Sequence, residues 1–408
     1  MYDEILQARE RIRGHVRETP ILPSVTLGEH IGAPVFLKCE NLQRTGSFKA
    51  RGAMNMLATL PPGASVVAAS AGNHAQGVAL AASEVGASAT VVMPRSTPVS
   101  KQRATRGYGA EVVLVPGSLA DAIEHAEEMA RERGSVFVPP FDHPLVVAGQ
   151  GTLGLEVIEQ VPDVETVLVP AGGGGLLAGV AAAIKATHPA VRVVGVQTAA
   201  MPGIVQSLAG GAPRALPAQR TIADGVAVAG PSTLTLDLIE RYVDDVVTVA
   251  EESIAQAIVL LIERARLVTE GAGALSTAAL LAGVASNTGR TVCVVSGGNI
   301  DVNVLGRITA RALLLEGRHR KLTVAAANVP GELALVTGAL AELGVNVLEV
   351  THELVTADLP VSVARITFRI EIAGPEAFDA LMSGMVERGL QRGTATDLVT
   401  QTAASTHR

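Results

Sequence analysis

Glu40-Asn-Leu-Gln-Arg-Thr-Gly-Ser-Phe-Lys49-Ala-Arg-Gly52 lies between an apolar run, Val35 to Cys39, and a helical pattern, Ala50 to Leu60. Ala53, Met56, Leu57 and Leu60 fall on one face of that helix. The stretch therefore reads as strand, turn, helix, with Lys49 where the helix opens. A helix N-terminus and a partly apolar setting both disfavour an ammonium, and a lysine so placed has the free amine that imine chemistry needs. Read alone, a lysine such as Lys49 is far more often an ordinary solvated surface charge.

The same alternation runs outward from this stretch. A charged helix over residues 1 to about 16 and an extended lead-in at Thr19-Pro20 precede it. Short apolar strands follow at Ser65–Ala69, Ala89–Met93, Glu111–Val115, Val136–Val138, Thr166–Val169, Val191–Gln197, Val246–Val249 and Thr291–Val295. Helical patterns stand between them, including Ala75–Val85, Leu119–Arg133, Leu145–Gln160, Ser253–Arg266 and Val302–Glu316. Uninterrupted apolar strands alternating with amphipathic helices define an α/β fold with buried, mainly parallel sheets. Residues 201–230, rich in Pro and Gly, read as a surface excursion, and Glu316–Lys321 as a polar linker. Beyond the linker the order is strand Leu322–Ala327, helix Glu332–Leu343, strands Val345–Val355 and Val361–Ile372, helix Pro375–Arg388 and a strand near Thr394–Thr400. That is the βαββαβ order of an α+β ferredoxin-like domain.

Composition narrows the function. A chain of 408 residues is long for one core and points to two or three domains. Hydrophobic content of 48% against 17% charged residues sets aside wholesale disorder, and with 2% aromatics the core has to be built from Ala, Val, Leu and Ile. The net charge of −7 argues against nucleic-acid or anionic-membrane partners. Cys39 and Cys293 lie apart in apolar strands and make no metal motif, so they read as buried free thiols in a reducing compartment. The charged N-terminus lacks the apolar core of a signal peptide and no apolar run is long enough to span a bilayer, so the cytoplasm is expected.

Three small-residue turns stand between a strand and a helix, where open parallel sheets collect ligands. Gly172 to Gly175 can converge backbone N–H groups on an anion, aided by the helix dipole. Gly173, Gly175 and Ala178 also satisfy the dinucleotide pattern, but the acidic residue expected at the end of the next strand is replaced by Gln197, so a monophosphate fits better than NAD. Ser70-Ala-Gly-Asn-His74 offers amides, a hydroxyl and the Asn73 amide for a carboxylate or ring hydroxyl; helix capping explains Ser70 and Asn73 equally well. His74 reads as a structural hydrogen-bonding histidine rather than a base. Ser296-Gly-Gly-Asn299 offers a hydroxyl after a buried strand, or is a plain turn. A phosphate site, an imine-forming lysine and polar groups for a ring's edges together describe pyridoxal 5′-phosphate.

Glu40–Gly52 with its Gly-Ser-Phe-Lys, Ser70–Gly77, Gly172–Leu176 and Ser296–Asn299 resemble the fold-type II pyridoxal-phosphate enzymes, and within them the threonine ammonia-lyase (threonine dehydratase) family with one C-terminal ACT domain. The resemblance covers essentially the whole chain. It implies a catalytic domain over 1–317 with a small subdomain (about 45–143) inserted in the large one, an ACT domain over 318–402 and a tail at 403–408. It implies that Lys49 holds the cofactor and removes the α-proton, that Asn73 bonds the ring hydroxyl, and that the backbone of Gly172, Gly173, Gly174, Gly175 and Leu176 holds the phosphate. Ser296 would face the ring nitrogen, and Ser70, Ala71, Gly72, Asn73 and His74 would take the substrate carboxylate. The implied reaction turns L-threonine into 2-oxobutanoate and ammonia, with serine to pyruvate slower, feeding isoleucine biosynthesis. Asn328, Pro330, Gly331 and Asn346 would form an effector site for isoleucine or valine, in a homodimer or homotetramer. Related racemases carry carboxylates after the strand ending here at Gln197; their absence from Gln197–Gly203 predicts no divalent metal there and lowers the odds of racemase activity, while a monovalent cation stays open. Two other readings are a dehydratase or racemase for serine or another β-hydroxy amino acid, and a catalytically silent amino-acid sensor.

Overall fold

Runs of Val, Leu and Ala bounded by turn residues become the strands of this chain, and glycines decide how closely the helices between them approach. The structure, a computed structural model, describes residues 1–286, 288–355, 359–388 and 390. It divides into two units, Met1–Leu305 and Gly306 onward. The first contains β1 Ile21–Pro23, β2 Val35–Cys39, β3 Ser65–Ala69, β4 Ser88–Pro94, β5 Glu111–Val115, β6 Val136–Phe137, β7 Thr166–Pro170, β8 Arg192–Thr198, β9 Asp245–Val249 and β10 Thr291–Val295.

These strands form two open sheets. The larger has the order β1-β2-β10-β7-β8-β9 and the smaller β5-β4-β3-β6. Every pairing is parallel except β1 with β2. The expected α/β class with mainly parallel sheets is what the chain adopts. Every residue of β7 and β10 is buried, as a strand covered on both faces requires. Their Val167, Val169, Val292 and Val294 pack with Leu153, Val157, Leu177 and Ile184 of the flanking helices Pro144–Gln160 and Gly175–Thr187. Each such aliphatic side chain contributes about 1.5–3 kcal/mol when fully buried.

The register of the larger sheet organises the loops. Cys293 of β10 pairs with Leu37 of β2 on one side and Leu168 of β7 on the other. The segments leaving the carboxyl ends of these three adjacent strands are those carrying Lys49, Ser296 and the glycine run. The helix Lys49–Leu57 is then held by close backbone approach. A Cβ on Gly149 would stand 2.6 Å from the Cα of Gly52, and one on Gly77 would stand 3.1 Å from the carbonyl carbon of Lys49.

Beneath that helix lies an enclosed charge network. Arg51 donates through Nε and Nη2 to both oxygens of Glu40 (2.9 and 2.8 Å) and through Nη1 to Glu156 at 2.5 Å. Lys38 donates to Glu156 at 2.5 Å and to the Thr19 carbonyl at 2.7 Å, and Thr19 Oγ1 donates to Glu40. Arg51, Lys38 and Glu40 are fully buried. Burial alone would raise the Glu40 carboxyl, but the Arg51 guanidinium overcomes it and holds the group below its ordinary value. Two cations and two anions balance, the condition under which buried charge is tolerated.

Several boundaries differ from the sequence reading. The first helix ends at Ile12 rather than near residue 16. Helices Val25–Ile31, Thr233–Tyr242 and Gly271–Leu281 were not anticipated. The helix expected over Ser253–Arg266 spans Glu251–Leu260 and continues as a wider π turn to Ala265. The reading of 201–230 as a surface excursion holds only for 211–220: Ile204 and Ser207 of the helix Gly203–Gly210, and Ala223 and Val226 beyond it, are buried.

In the second unit β11 His319–Ala327, β12 Asn346–Glu353 and β13 Val363–Glu371 form an antiparallel sheet of order β11-β13-β12. Val324, Ile366, Phe368 and Leu381 lie in a core shared with the helices Glu332–Glu342 and Pro375–Glu387. Because β11 starts at His319, the expected linker 316–321 is shorter than its composition implied. The strand expected near Thr394–Thr400 and the tail lie outside the described residues.

Candidate active site

Lys49 is the first residue of its helix, as expected. Its Nζ donates to the Pro140 carbonyl at 2.7 Å and lies 5.1 Å from the centre of the Phe48 ring. Burial lowers its pKa to about 8, with the carboxylate of Glu270 pulling the other way. Its loop is stitched to the Ser296 turn: Ser47 forms a bridge with Gly297, and the Phe48 amide donates to the Ser296 carbonyl at 3.1 Å.

The glycine run leaves β7 and enters the helix Gly175–Thr187, with Gly174 as N-cap at φ +93°. Among the described residues the amides of Gly172, Gly173, Gly174, Gly175 and Leu176 donate to no acceptor. The wall behind them leaves no room for side chains. A Cβ on Gly172 would meet Val226 Cα at 3.0 Å, and one on Gly173 the Phe141 ring at 2.5 Å. Thr235 Oγ1 holds the Gly173 carbonyl at 2.8 Å. Five unpaired amides at a helix N-terminus, backed by apolar groups, make a cradle for an anion. Pro140 and Phe141 tie the cradle to Lys49, one accepting from its amine and the other lying against Gly173.

The third turn leaves β3. Ser70 Oγ accepts from the Gly72 amide at 3.1 Å, while the amides of Ala71, Asn73 and His74 have no acceptor among the described residues. His74 Nε2 lies 2.8 Å from the Val138 carbonyl, and burial, with Lys49 adding repulsion, lowers its pKa to about 3. A neutral ring donating to a carbonyl is the structural histidine the sequence implied, so the side chain is spent and only its amide is left without a partner among the described residues. The Asn73 side chain is also engaged: Nδ2 donates to Glu270 at 2.5 Å and Oδ1 accepts from Asn299 Nδ2 at 2.8 Å. Ser296 is buried with its Oγ 3.5 Å from the Ala272 carbonyl, a long contact that leaves the hydroxyl available.

Sequence reasoning missed Glu270. It precedes the unanticipated helix Gly271–Leu281 and is buried, and burial with Asp224 nearby raises its pKa to about 7 against the opposing effect of the Asn73 hydrogen bond. The signal was the small-residue run Thr269-Glu270-Gly271-Ala272-Gly273. Gln197 has a use of its own: Oε1 accepts from the amides of Ile204 at 3.0 Å and Val205 at 3.2 Å, and Nε2 reaches the Met201 carbonyl. It caps the helix Gly203–Gly210 and cannot stand in for the ribose-binding carboxylate of a dinucleotide site. Among the described residues no three His, Cys, Asp or Glu side chains come together as metal ligands.

An anion cradle beside a buried lysine with a lowered pKa is the equipment of an enzyme that holds a phosphorylated aldehyde. Residues 12–297 match the family described as pyridoxal-phosphate dependent enzyme, and the chain belongs to that family. It is 47% identical to an L-threonine ammonia-lyase of Geobacter sulfurreducens over 94% of this chain and 96% of that protein. It is 45% identical to the catabolic L-threonine dehydratase TdcB of Escherichia coli over 75% of this chain and 95% of that one. Among solved structures, a threonine deaminase from T.th. superposes with a TM-score of 0.71 at 41% identity, covering 73% of this chain and 98% of that chain. Maize serine racemase superposes at 0.72 with 34% identity, covering 77% and 98%. The residues present fit pyridoxal phosphate: the unpaired amides suit its phosphate, and Lys49 has a free-amine fraction near neutral pH.

Proposed function

We propose that the chain is a threonine ammonia-lyase that uses pyridoxal phosphate to convert L-threonine into 2-oxobutanoate and ammonia. The observation that carries this is the 47% identity to a named L-threonine ammonia-lyase over 94% of the chain, on a fold whose lysine, anion cradle and polar turns occupy one end of the sheets. Serine, one methyl smaller, is the secondary substrate, since a methyl group is worth only about 1–3 kcal/mol of discrimination.

In this reading the amides of Gly172, Gly173, Gly174, Gly175 and Leu176 would hold the phosphate, Asn73 would bond the ring hydroxyl and Ser296 would serve the ring nitrogen. When bound, the cofactor supplies an electron sink for the bonds at the substrate α-carbon. The Lys49 amine would take the α-proton and hold it; its lowered pKa leaves it partly unprotonated and so able to accept. Ser296, a neutral hydroxyl where a carboxylate could stand, would offer the ring nitrogen a hydrogen bond without a negative charge. The free amides of Ala71, Asn73 and His74 receive the substrate carboxylate, oriented by the start of the helix Asn73–Val85. Lys49→Ala should lose both the visible absorbance produced on adding pyridoxal phosphate and the release of 2-oxobutanoate. Full turnover by that variant would overturn the assignment.

The second unit is read as an ACT domain over 318–402, binding isoleucine or valine through Asn328, Pro330, Gly331 and Asn346, in a cytoplasmic homodimer or homotetramer serving isoleucine formation. Supporting this are its antiparallel sheet backed by helices and the left-handed Gly331 (φ +102°) that opens the helix Glu332–Glu342. Asn346 already spends its Nδ2 on Glu371 at 3.1 Å, leaving its carbonyl oxygen for an effector. Among the described residues no helix is long and apolar enough to cross a membrane. Removal of residues 319–408 should abolish the response of 2-oxobutanoate release to isoleucine or valine; an intact response in the shortened chain would refute the effector site.

A further inference from the structure

Glu270 carries none of the roles assigned above, yet its carboxylate meets three elements of the site. Asn299 Nδ2 donates to the Thr45 carbonyl at 2.7 Å and to Asn73 Oδ1 at 2.8 Å, and Asn73 Nδ2 donates to Glu270 Oε1 at 2.5 Å. The order Asn299 to Asn73 to Glu270 is directional. A donor at one end of the Asn73 amide and an acceptor at the other admit a single orientation of a group that could otherwise turn over. Space for the carboxylate is provided by glycines. A Cβ on Gly297 would stand 2.3 Å from Glu270 Oε1, and one on Gly225 at 3.5 Å.

The charged and titratable groups facing Glu270 come from every element around it. Lys49 belongs to the helix Lys49–Leu57 and Lys101 to the helix Val99–Gly107. Asp224 opens the short turn Asp224–Val226 and is paired with Lys101 at 2.7 Å. His74, beside Lys49, is held neutral and does not titrate above pH 5. Burial raises Glu270 to about 7 and lowers Lys49 to about 8, and the charge of each opposes the other's shift.

We propose that Glu270 is a positioning residue: it locks the Asn73 amide in one orientation toward the cofactor ring, and its negative charge acts on the Lys49 amine. The proposal rests on the reading of Lys49 as the cofactor lysine. A carboxylate that merely filled space would be replaceable by its isosteric amide without electrostatic consequence.

The experiment uses the full chain, freed of cofactor and mixed with pyridoxal phosphate, and follows the visible absorbance for affinity and for rate across pH 6 to 9.5. Only the neutral amine attacks, so the rate should rise through the Lys49 pKa. Glu270→Gln retains an oxygen that accepts from Asn73, so its affinity should stay within about threefold of wild type, while the rate profile moves to lower pH by about 0.5 unit or more because the charge favouring the ammonium is gone. Glu270→Ala loses the acceptor and should bind about tenfold more weakly. Asn299→Asp, at a less enclosed position, removes the donor and draws the Asn73 amide the other way, and should also weaken binding about tenfold. Affinity and rate profile of wild type in both Glu270 variants would overturn the proposal, and if those variants fail to fold, unchanged affinity in Asn299→Asp would do the same. A wild-type absorbance band in Lys49→Ala is a separate failure, that of the functional reading beneath it.

Discussion

Replacing Arg51 with methionine tests the charge network under the Lys49 helix. The substitution keeps much of the side-chain length and removes the guanidinium that holds both oxygens of Glu40 and both of Glu156. Glu156 keeps Lys38, but Glu40, fully buried, is left with the Thr19 hydroxyl and the more distant charge of Lys38. Breaking a buried pair from one side costs about 3–5 kcal/mol, because the remaining charge is uncompensated. Unlike in the wild type, burial would then dominate and raise the Glu40 carboxyl above its unfolded value of about 4.3. A carboxyl raised in the folded state binds a proton more readily there, so the penalty is full at neutral pH and is relieved as pH falls toward the unfolded value. In the wild type Glu40 is depressed, and its contribution is lost as pH falls below that value. The gap between the two proteins should therefore narrow from pH 7 to pH 5. Urea unfolding followed by circular dichroism at both pH values measures it, and Arg51→Met combined with Glu40→Gln should recover most of the loss. A loss under about 1 kcal/mol, or one that does not change with pH, would refute the reasoning.

Two other tests bear on the site. Gly174 sits at φ +93° with Ile239 Cδ1 2.8 Å from where a Cβ would be, so Gly174→Ala should weaken pyridoxal phosphate binding about tenfold by equilibrium dialysis, the cost of about 1–2 kcal/mol for a left-handed residue. His74 is depressed from an unfolded value of about 6.5, so it withdraws stability as pH falls below 6.5, by up to about 1.4 kcal/mol per unit; His74→Gln should flatten the thermal midpoint of the cofactor-free protein between pH 6.5 and 5.

Local chemistry made much of this molecule legible in its sequence. Strands such as β7 and β10 are short apolar runs bounded by turns, and Lys49, Gly172–Gly175 and Ser296 each follow one, so their place at the carboxyl end of a sheet can be read from neighbours a few residues away. Glu270 was not legible in that way. A carboxylate before a helix ordinarily reads as a solvated group favoured by the dipole, and only the fold shows that Asn73, 197 residues away, donates to it. The partnership of Arg51 with Glu156, 105 residues apart, leaves no periodic trace either. The segment 201–230 misled because Pro and Gly signal loops, whereas here Val226 packs on Gly172 and the helix Gly203–Gly210 is capped by a buried glutamine.

The crowding of glycines around the Lys49 helix also decides where this protein can be made more heat-tolerant. Exchanging helical glycine for alanine ordinarily gains about 0.5–1 kcal/mol. Gly306 and Gly338, inside helices with nothing within 4 Å of an added methyl, are free to yield that gain. At Gly52, Gly77 and Gly149 the same exchange would wedge apart the helices that aim the lysine, so a stabilisation campaign that scores residues by helix preference alone would lose both melting temperature and turnover there.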